Sequence, residues 1–527
     1  MQNKLKAQNF IILLLFLVML SCKNEEGDST IKIAGSLKIK VDSSKIYSES
    51  FRNQFHFSPE KHWMNDPNGM VFCKGVYHLF YQYYPNDIVW GPMHWGHATS
   101  KDLVHWENKK IALFPDKLGY IFSGSAVIDS ANSSGLGTKE NPPMVAIFTY
   151  HNMEFEKAKK INTQTQGLAY SLDEGETWIK YKSNPIINNL DKKDFRDPKC
   201  FWNASTKEWN LVLVAGDRAQ FYSSKNLINW TLESEFGKNR GEHRGVWECP
   251  DLFKLKVNNE EKWVLLISVN PGAPNGGSGT QYFVGDFDGK TFKTNQKDTK
   301  WLDFGADNYA GVTFNNTKYE DRILIGWMSN WSYALKTPTK HWRSAMTLPR
   351  KLSLSKINND YVLQNKPVEE FQTLLTNEFS KKTLQINKSK KTNIEYASLN
   401  QSQITFAAKK ANLKLVFYND DNDSLIVNYS KDRNTFSINR MHSGIVNLGE
   451  NFASKIHTTV LKNFNTDQIK YQIILDQSSI EVFLNDGLYS FTEQIFPKKP
   501  YTHLNIETDQ NLDLSNFKID VVHAIWK

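Results

Sequence analysis

Two patterns of apolar and polar positions divide this chain near residue 360. Ahead of that point, short apolar runs such as GVYHLFYQYY (75–84), WNLVLVAG (209–216), KWVLLISV (262–269) and RILIGWMSNW (322–331) are separated by Gly-, Asn- and Asp-rich breaks. Their length and their β-branched and aromatic content predict strands, and helical periodicity is nearly absent. Beyond it, ANLKLVFYND (411–420), DSLIVNYS (423–430), IKYQIILD (469–476) and SSIEVFLNDG (478–487) alternate apolar with polar residues. Such alternation marks antiparallel strands with one buried face. The chain reads as all-β, ending in a β-sandwich. Between the two parts, KPVEEFQTLL (366–375) is a short amphipathic stretch that reads as a connector.

The first part carries a loose repeat. SKDLVHW ends at Trp106, SLDEGETW at Trp178, SSKNLINW at Trp230 and GDFDGKTF at Phe292, each placing a polar hairpin turn just before an aromatic. The interval of roughly fifty to seventy residues is near that of a four-stranded propeller blade, and the span from Phe51 to Lys356 holds about five such units. The expected division is a five-bladed β-propeller over 51–360, a connector over 361–380 and a β-sandwich over 381–527.

The N-terminus has its own composition. Lysines precede an apolar run from Phe10 to Leu20, followed by Ser21 and Cys22. The run is short for a membrane span and reads as a signal peptide over 1–22, with Cys22 as the lipidated first residue of an exported lipoprotein. Residues 23–50 are polar and read as a tether. A lipid anchor is then the only expected membrane contact, at a bacterial membrane and possibly facing outward; without it the protein would be periplasmic.

Composition narrows the chemistry. Fifteen Trp and 21 Tyr suit sugar faces, which pair with rings carrying a polar handle. The net charge of +8 comes from scattered lysines, with no basic stripe, so nucleic acid is not an expected partner. Cys73, Cys200 and Cys249, the thiols left after processing, form no disulfide framework, and no CxxC, HExxH or Asp-rich calcium loop occurs. Neither a metal nor a cofactor is expected.

Three acids stand out against this background. Asp66 lies in HWMNDPNGMVF, where Asp-Pro-Asn-Gly is by itself turn chemistry. Asp197 follows Arg196 in DFRDPKC, and Glu248 precedes Cys249 and Pro250 in GVWECPD. Inner strands of successive propeller blades line one funnel, so these distant acids can converge there.

WMNDPNG, RDP and ECP, in this order, resemble glycoside hydrolase family 32, the β-fructosidases that include invertases, inulinases and levanases. FYQ (80–82), WGPMHWGHA (90–98), FSGS (122–125) and DQSSIEVFLNDG (476–487) extend the resemblance over nearly the whole chain from residue 50. Its fold, a five-bladed propeller followed by a sandwich, agrees with the organisation above. The resemblance implies Asp66 as nucleophile, Glu248 as general acid/base and Asp197 as transition-state stabiliser, with the turn holding Asp66 in place and Arg196 keeping Asp197 ionised. It implies sugar contacts from Asn65, Gln82 and Ser123, apolar walls from Trp90 and Phe122, and Trp327 and Trp331 bordering the pocket. Cys249 is expected to tune Glu248, while His94, His97 and His243 receive no role. Retention at the anomeric carbon is implied as well.

GADNYAGVTF (305–314) and the stretch from Ile325 to Arg350 look nearer to levanase and exo-inulinase members than to invertases. The expected substrate is a fructan, levan or inulin, cleaved from its end to release fructose, with sucrose as a further substrate. A sucrose invertase, a fructosyltransferase and a fructan-binding lipoprotein are the alternatives.

Overall fold

The computed structural model describes residues 29–35, 45–317, 321–388, 390–449, 451–462 and 466–526. The signal segment and Cys22 lie outside the described residues. Five antiparallel sheets follow one another as propeller blades, and two larger sheets form the sandwich. The blades open with His62–Cys73, Tyr120–Ile128, Phe195–Asn203, Val246–Val257 and Tyr309–Thr313, which are the inner strands. Trp342–Arg343, from the chain that builds the fifth blade, pairs in parallel with His62 and Trp63 of the first and so ties the ring shut.

The repeat has a local cause. Trp106, Trp178 and Trp230 stand immediately before the fourth strand of their blades, and Phe292 begins the fourth strand of its own. In each hairpin an Asx side chain accepts backbone N–H bonds: Asp102 from Val104 and His105, Asp173 from Thr177, Asn226 from Ile228 and Asn229, Asp288 from Lys290 and Thr291. The Asx turn sets the reversal, and in two hairpins the indole that follows bonds back to it, Trp178 Nε1 donating to the Gly175 carbonyl at 3.1 Å and Trp230 Nε1 to the Leu227 carbonyl at 2.9 Å.

Two boundaries differ from the sequence reading. Asp360–Pro367 pairs with Arg350–Ile357 as the outer strand of the fifth blade, so the propeller runs to Pro367. The connector shrinks to a 3-10 turn, Glu369–Leu374, which buries Phe371 and Leu374, and the sandwich starts at Leu375. Ser29–Ile33, placed in the tether by its polar surroundings, is a strand paired in parallel with Thr392–Tyr396 at the edge of the seven-stranded sheet. Ile31 and Ile33, two residues apart and so on one face, pack on the sandwich core.

Buried charges fasten sandwich to propeller. Arg350 Nη1 donates to Asp303 at 2.8 Å, and its Nη2 donates to Glu481 at 3.0 Å and to Thr492 Oγ1 at 2.6 Å. Asp476 accepts from the backbone of Gln54 and Phe55 and lies 2.8 Å from His56 Nδ1. Asp476 and Glu481 of DQSSIEVFLNDG therefore serve this interface, while Asp486 is exposed and pairs with Lys470 within the sandwich.

Candidate active site

All five inner strands slip register at the same level of the funnel. The shifts fall between Met64 and Pro67, Ile121 and Gly124, Arg196 and Lys199, Glu248 and Asp251, and Tyr309 and Val312. A bulge leaves residues unpaired and re-aims their side chains. Asn65 and Asp66, Phe122 and Ser123, and Asp197 occupy these slips, and Glu248 borders one. Pro67, Pro198 and Pro250 lack the N–H that a regular ladder would need there. Asp197 and Cys249 hold φ of 63° and 45°, a left-handed conformation costing about 1–3 kcal/mol each for residues with a Cβ. Asp66 is thus held by a bulge within a twelve-residue strand instead of the expected turn, because the strand continues to Cys73. Gly124 explains the FSGS motif: a Cβ there would lie 2.2 Å from the Ile147 carbonyl oxygen.

The acids surround a cavity of about 270 Å³. Ser123 Oγ donates to Asp66 Oδ2 at 2.6 Å, and Asn65 Nδ2 to its Oδ1 at 3.2 Å. Trp63 Nε1 fixes Asn65 in turn, donating to its Oδ1 at 2.8 Å. Asp197 accepts the Cys249 N–H at 2.9 Å. Glu248 accepts from Arg196 Nη2 at 2.9 Å on one oxygen and from the Tyr309 hydroxyl on the other. Its side chain is 20% exposed against 6% for Asp197, so Glu248 is the more accessible of the two.

Burial raises the pKa of Asp66, and the Ser123 hydrogen bond opposes it. Burial also pushes Asp197 up to about 7; Arg196 opposes the shift, while Glu248 and Asp66 add to it. Arg196 was expected to keep Asp197 ionised, yet its Nε stands 3.8 Å away and its short bonds go to Glu248 and, at 2.6 Å, to Asp194. One guanidinium thus stands among Asp66, Asp197, Glu248 and Asp194, and burial works against ionisation of Asp66 and Asp197. A cavity lined by the buried carboxylates Asp66 and Asp197 and by the more accessible Glu248 has the parts for glycosidic cleavage.

The model for the Glycosyl hydrolases family 32 N-terminal domain matches residues 56–367, and that for the family's C-terminal domain matches 370–521. The chain belongs to glycoside hydrolase family 32. It is 42% identical to a levanase of Bacillus subtilis over 94% of this chain and 74% of the relative. It is 37% identical to an extracellular exo-inulinase of Aspergillus awamori over 87% of this chain and 92% of the relative. The solved structure of an Aspergillus awamori exo-inulinase superposes with a TM-score of 0.83 at 34% identity, covering 91% of this chain and all of that one. A fructofuranosidase from Schwanniomyces occidentalis complexed with fructose gives 0.82 at 32%, with the same coverage. The protein is a glycoside hydrolase acting on fructosides.

In this family 32 cavity, Asp66, Asp197, Glu248, Asn65, Gln82, Trp90, Phe122, Ser123, Arg196 and Trp331 all contribute to the lining. Gln82 is 2% exposed and its Nε2 has no hydrogen-bond partner, a donor at the cavity wall. Trp327 departs from expectation: it is wholly buried, packed 4.9 Å from Trp331 and 6.1 Å from Trp63. The Cys249 Sγ lies 3.5 Å from Asp66 and 3.7 Å from Asp197, so its hydrogen-bonding contacts are with those two acids. Burial, reinforced by those two carboxylates, pushes its thiol well up, so it stays an S–H donor.

His94, His97 and His243 do not line the cavity, whereas His151, Gln164, Glu156 and Asp194 do. The His151 ring stacks on Phe122 with centroids 4.3 Å apart and bonds Gln164 and Glu156 at 3.1 and 2.9 Å. Tyr309 was also unassigned. It lies in GADNYAGVTF, a stretch singled out only for its likeness to levanase and exo-inulinase members. His151 carries no signal in the sequence, because the partners that aim it, Phe122, Glu156 and Gln164, come from other segments of the second blade.

Proposed function

We propose that this enzyme removes terminal fructose from levan or inulin with retention of configuration. Asp66 attacks C2, Glu248 protonates the leaving oxygen and then activates water, and Asp197 binds fructosyl hydroxyls. The observation that carries this reading is the convergence of those acids on one small cavity, with Glu248 the more exposed of the Glu248–Asp197 pair. Sugar hydroxyls donating to Asp66 and Asp197 favour their anions, and Glu248 is the group that supplies the proton to the leaving oxygen. Once that proton has passed to the leaving group, Arg196 and Tyr309 stabilise the Glu248 carboxylate that acts as base. The cavity is near the small end of ligand pockets, about 300–1,000 Å³, which suits one chain end. The relatives named levanase and exo-inulinase support a fructan. Incubating the protein with levan, inulin and sucrose tests the assignment: fructose from a polymer supports it, sucrose cleavage alone indicates an invertase, and elongated products indicate a transferase.

Trp331 is proposed to stack on the entering sugar. It packs on Trp63 at 5.9 Å, which holds its ring at the rim. Trp331→Ala is expected to cost about 1 kcal/mol, a roughly fivefold loss in kcat/KM on fructans. A lower melting temperature with unchanged kinetics would return the residue to a packing role.

Export with lipid anchoring at Cys22 is also proposed, supported by the apolar run before it and by the extracellular exo-inulinases among the relatives. Multiple acyl chains on one terminus hold a soluble domain at a membrane. Cys22→Ala is expected to release the protein into the soluble fraction; retention at the membrane after signal removal would end the idea.

A further inference from the structure

The propeller channel is closed beneath the acids. The inner strands all run downward from the catalytic end, and around Pro67, Pro198 and Pro250 only about 10 Å³ of space remains. Below this, Lys199 Nζ lies 3.1 Å from Asp251 Oδ2, which also accepts the Thr313 N–H at 2.6 Å and the Thr313 hydroxyl at 2.7 Å. Both charged side chains are buried, at 5% and 0% exposure. Lys199 and Asp251 thus plug the channel, and a sugar chain cannot thread it.

Past the plug, the far ends of four inner strands line a second cavity of about 550 Å³, roughly twice the catalytic one. Its wall is aromatic. Trp202 is 47% exposed, the only tryptophan among the exposed large hydrophobics of the described residues. It pairs across its hairpin with Trp209, ring centroids 5.1 Å apart, and Trp209 is buried and anchored by Nε1 donation to Ser133 Oγ at 2.9 Å. The exposed indole is therefore braced from behind. Phe201 and Trp263 continue the wall at 5.6 Å from each other. The rim is polar: Lys254 and Glu261 pair at 3.1 Å, and Asn316 also lines the cavity. At the floor, Asp251 Oδ1 accepts no hydrogen bond.

A braced, half-exposed indole in a concave site with amide, ammonium and carboxylate groups matches a sugar ring, which offers an apolar face and hydroxyls that both donate and accept. We propose that this far-mouth cavity is a non-catalytic binding site for a segment of fructan chain, with Trp202 as its stacking platform. The occupant rests on the fructan reading above, because a pocket that engages only a chain end leaves the body of the polymer free to be held elsewhere. Holding it there raises the local concentration of chain ends without any new contact in the catalytic cavity.

The test compares the full-length protein with Trp202→Ala and, should the alanine variant fold poorly, with Trp202→Phe and Trp202→Gln. Native gels containing levan, inulin or dextran report binding, and kinetics on long polymer, a trisaccharide and sucrose report catalysis. The expected result is retardation of the wild type by levan or inulin but not by dextran, lost in Trp202→Ala and partly kept in Trp202→Phe. KM on long polymer should rise about fivefold, with kcat and the sucrose and trisaccharide kinetics unchanged. Equal retardation of wild type and variants, or unchanged polymer KM in a folded variant, would overturn the proposal. Failure of the fructan reading looks different: the wild type would cleave sucrose yet leave both polymers intact.

Discussion

Glu248→Ala is expected to lose about 10²- to 10⁴-fold in turnover of levan or inulin, the usual contribution of a positioned general acid, and to recover most of it in the first step on fructosyl fluoride. Fluoride leaves without a proton, so the group that Glu248 would supply is no longer needed. The second step still lacks its base, and the covalent fructosyl-enzyme should accumulate, visible as a burst of fluoride. Asp66→Ala should show no comparable recovery, because the attacking atom itself is gone. Asp197→Ala should slow both donors alike, since its partners are hydroxyls of the fructosyl ring common to both. Three variants on two donors make a two-way comparison. Rescue of Asp66→Ala by the fluoride, with none for Glu248→Ala, would reverse the two assignments.

Arg350→Met is expected to destabilise the protein by about 3–5 kcal/mol, the cost of leaving partners of a buried ion pair uncompensated. Arg350 is wholly buried between Asp303 and Glu481, whose side chains are 4% and 0% exposed. Burial alone would raise the Asp303 pKa, but the Arg350 guanidinium, helped by the Thr492 hydroxyl, holds it below the ordinary carboxylate range. A depressed folded-state pKa contributes stability that is present above the unfolded value, about 3.9, and lost as pH falls through the folded one. The gap between wild type and variant should accordingly be widest near neutrality and narrow below about pH 4. Urea midpoints across pH measure it. A gap under about 1 kcal/mol, the scale of an exposed pair, or one that does not change with pH, would show that the cluster does not clamp the two domains as argued.

Legibility in the sequence followed the range of the interaction. Strands in both domains and the Asx hairpins ahead of Trp106, Trp178, Trp230 and Phe292 arise among neighbouring residues, so short windows carried them. The boundary at Pro367 was harder: Asp360–Pro367 is a strand because Arg350–Ile357 offers an edge, whereas its own residues read equally as connector. Ser29–Ile33 is the extreme case, since its polar setting argues for a tether until the distant edge strand Thr392–Tyr396 pairs with it.

In the site, WMNDPNG, RDP and ECP marked the acids through their resemblance to family 32, and each of these motifs carries a proline at or next to the bulge. What those side chains meet is not local. The Ser123 bond to Asp66, the Tyr309 bond to Glu248 and the Arg196 bond to Glu248 join different blades, and only the Arg196 bond to Asp194 stays within one. Trp327 and Trp331 stand four residues apart in one motif, yet the first ends in the core and the second at the rim, since the strand Ile323–Met328 stops between them. By itself the sequence determined the all-β class and the blade repeat, because hydrophobic alternation and turn chemistry act over a few residues, and its short family motifs marked the three acids. Only the tertiary structure decided the charge partners, the plug of Lys199 and Asp251 and the walls of both cavities, because each of these requires strands from different blades to reach one level of the same channel.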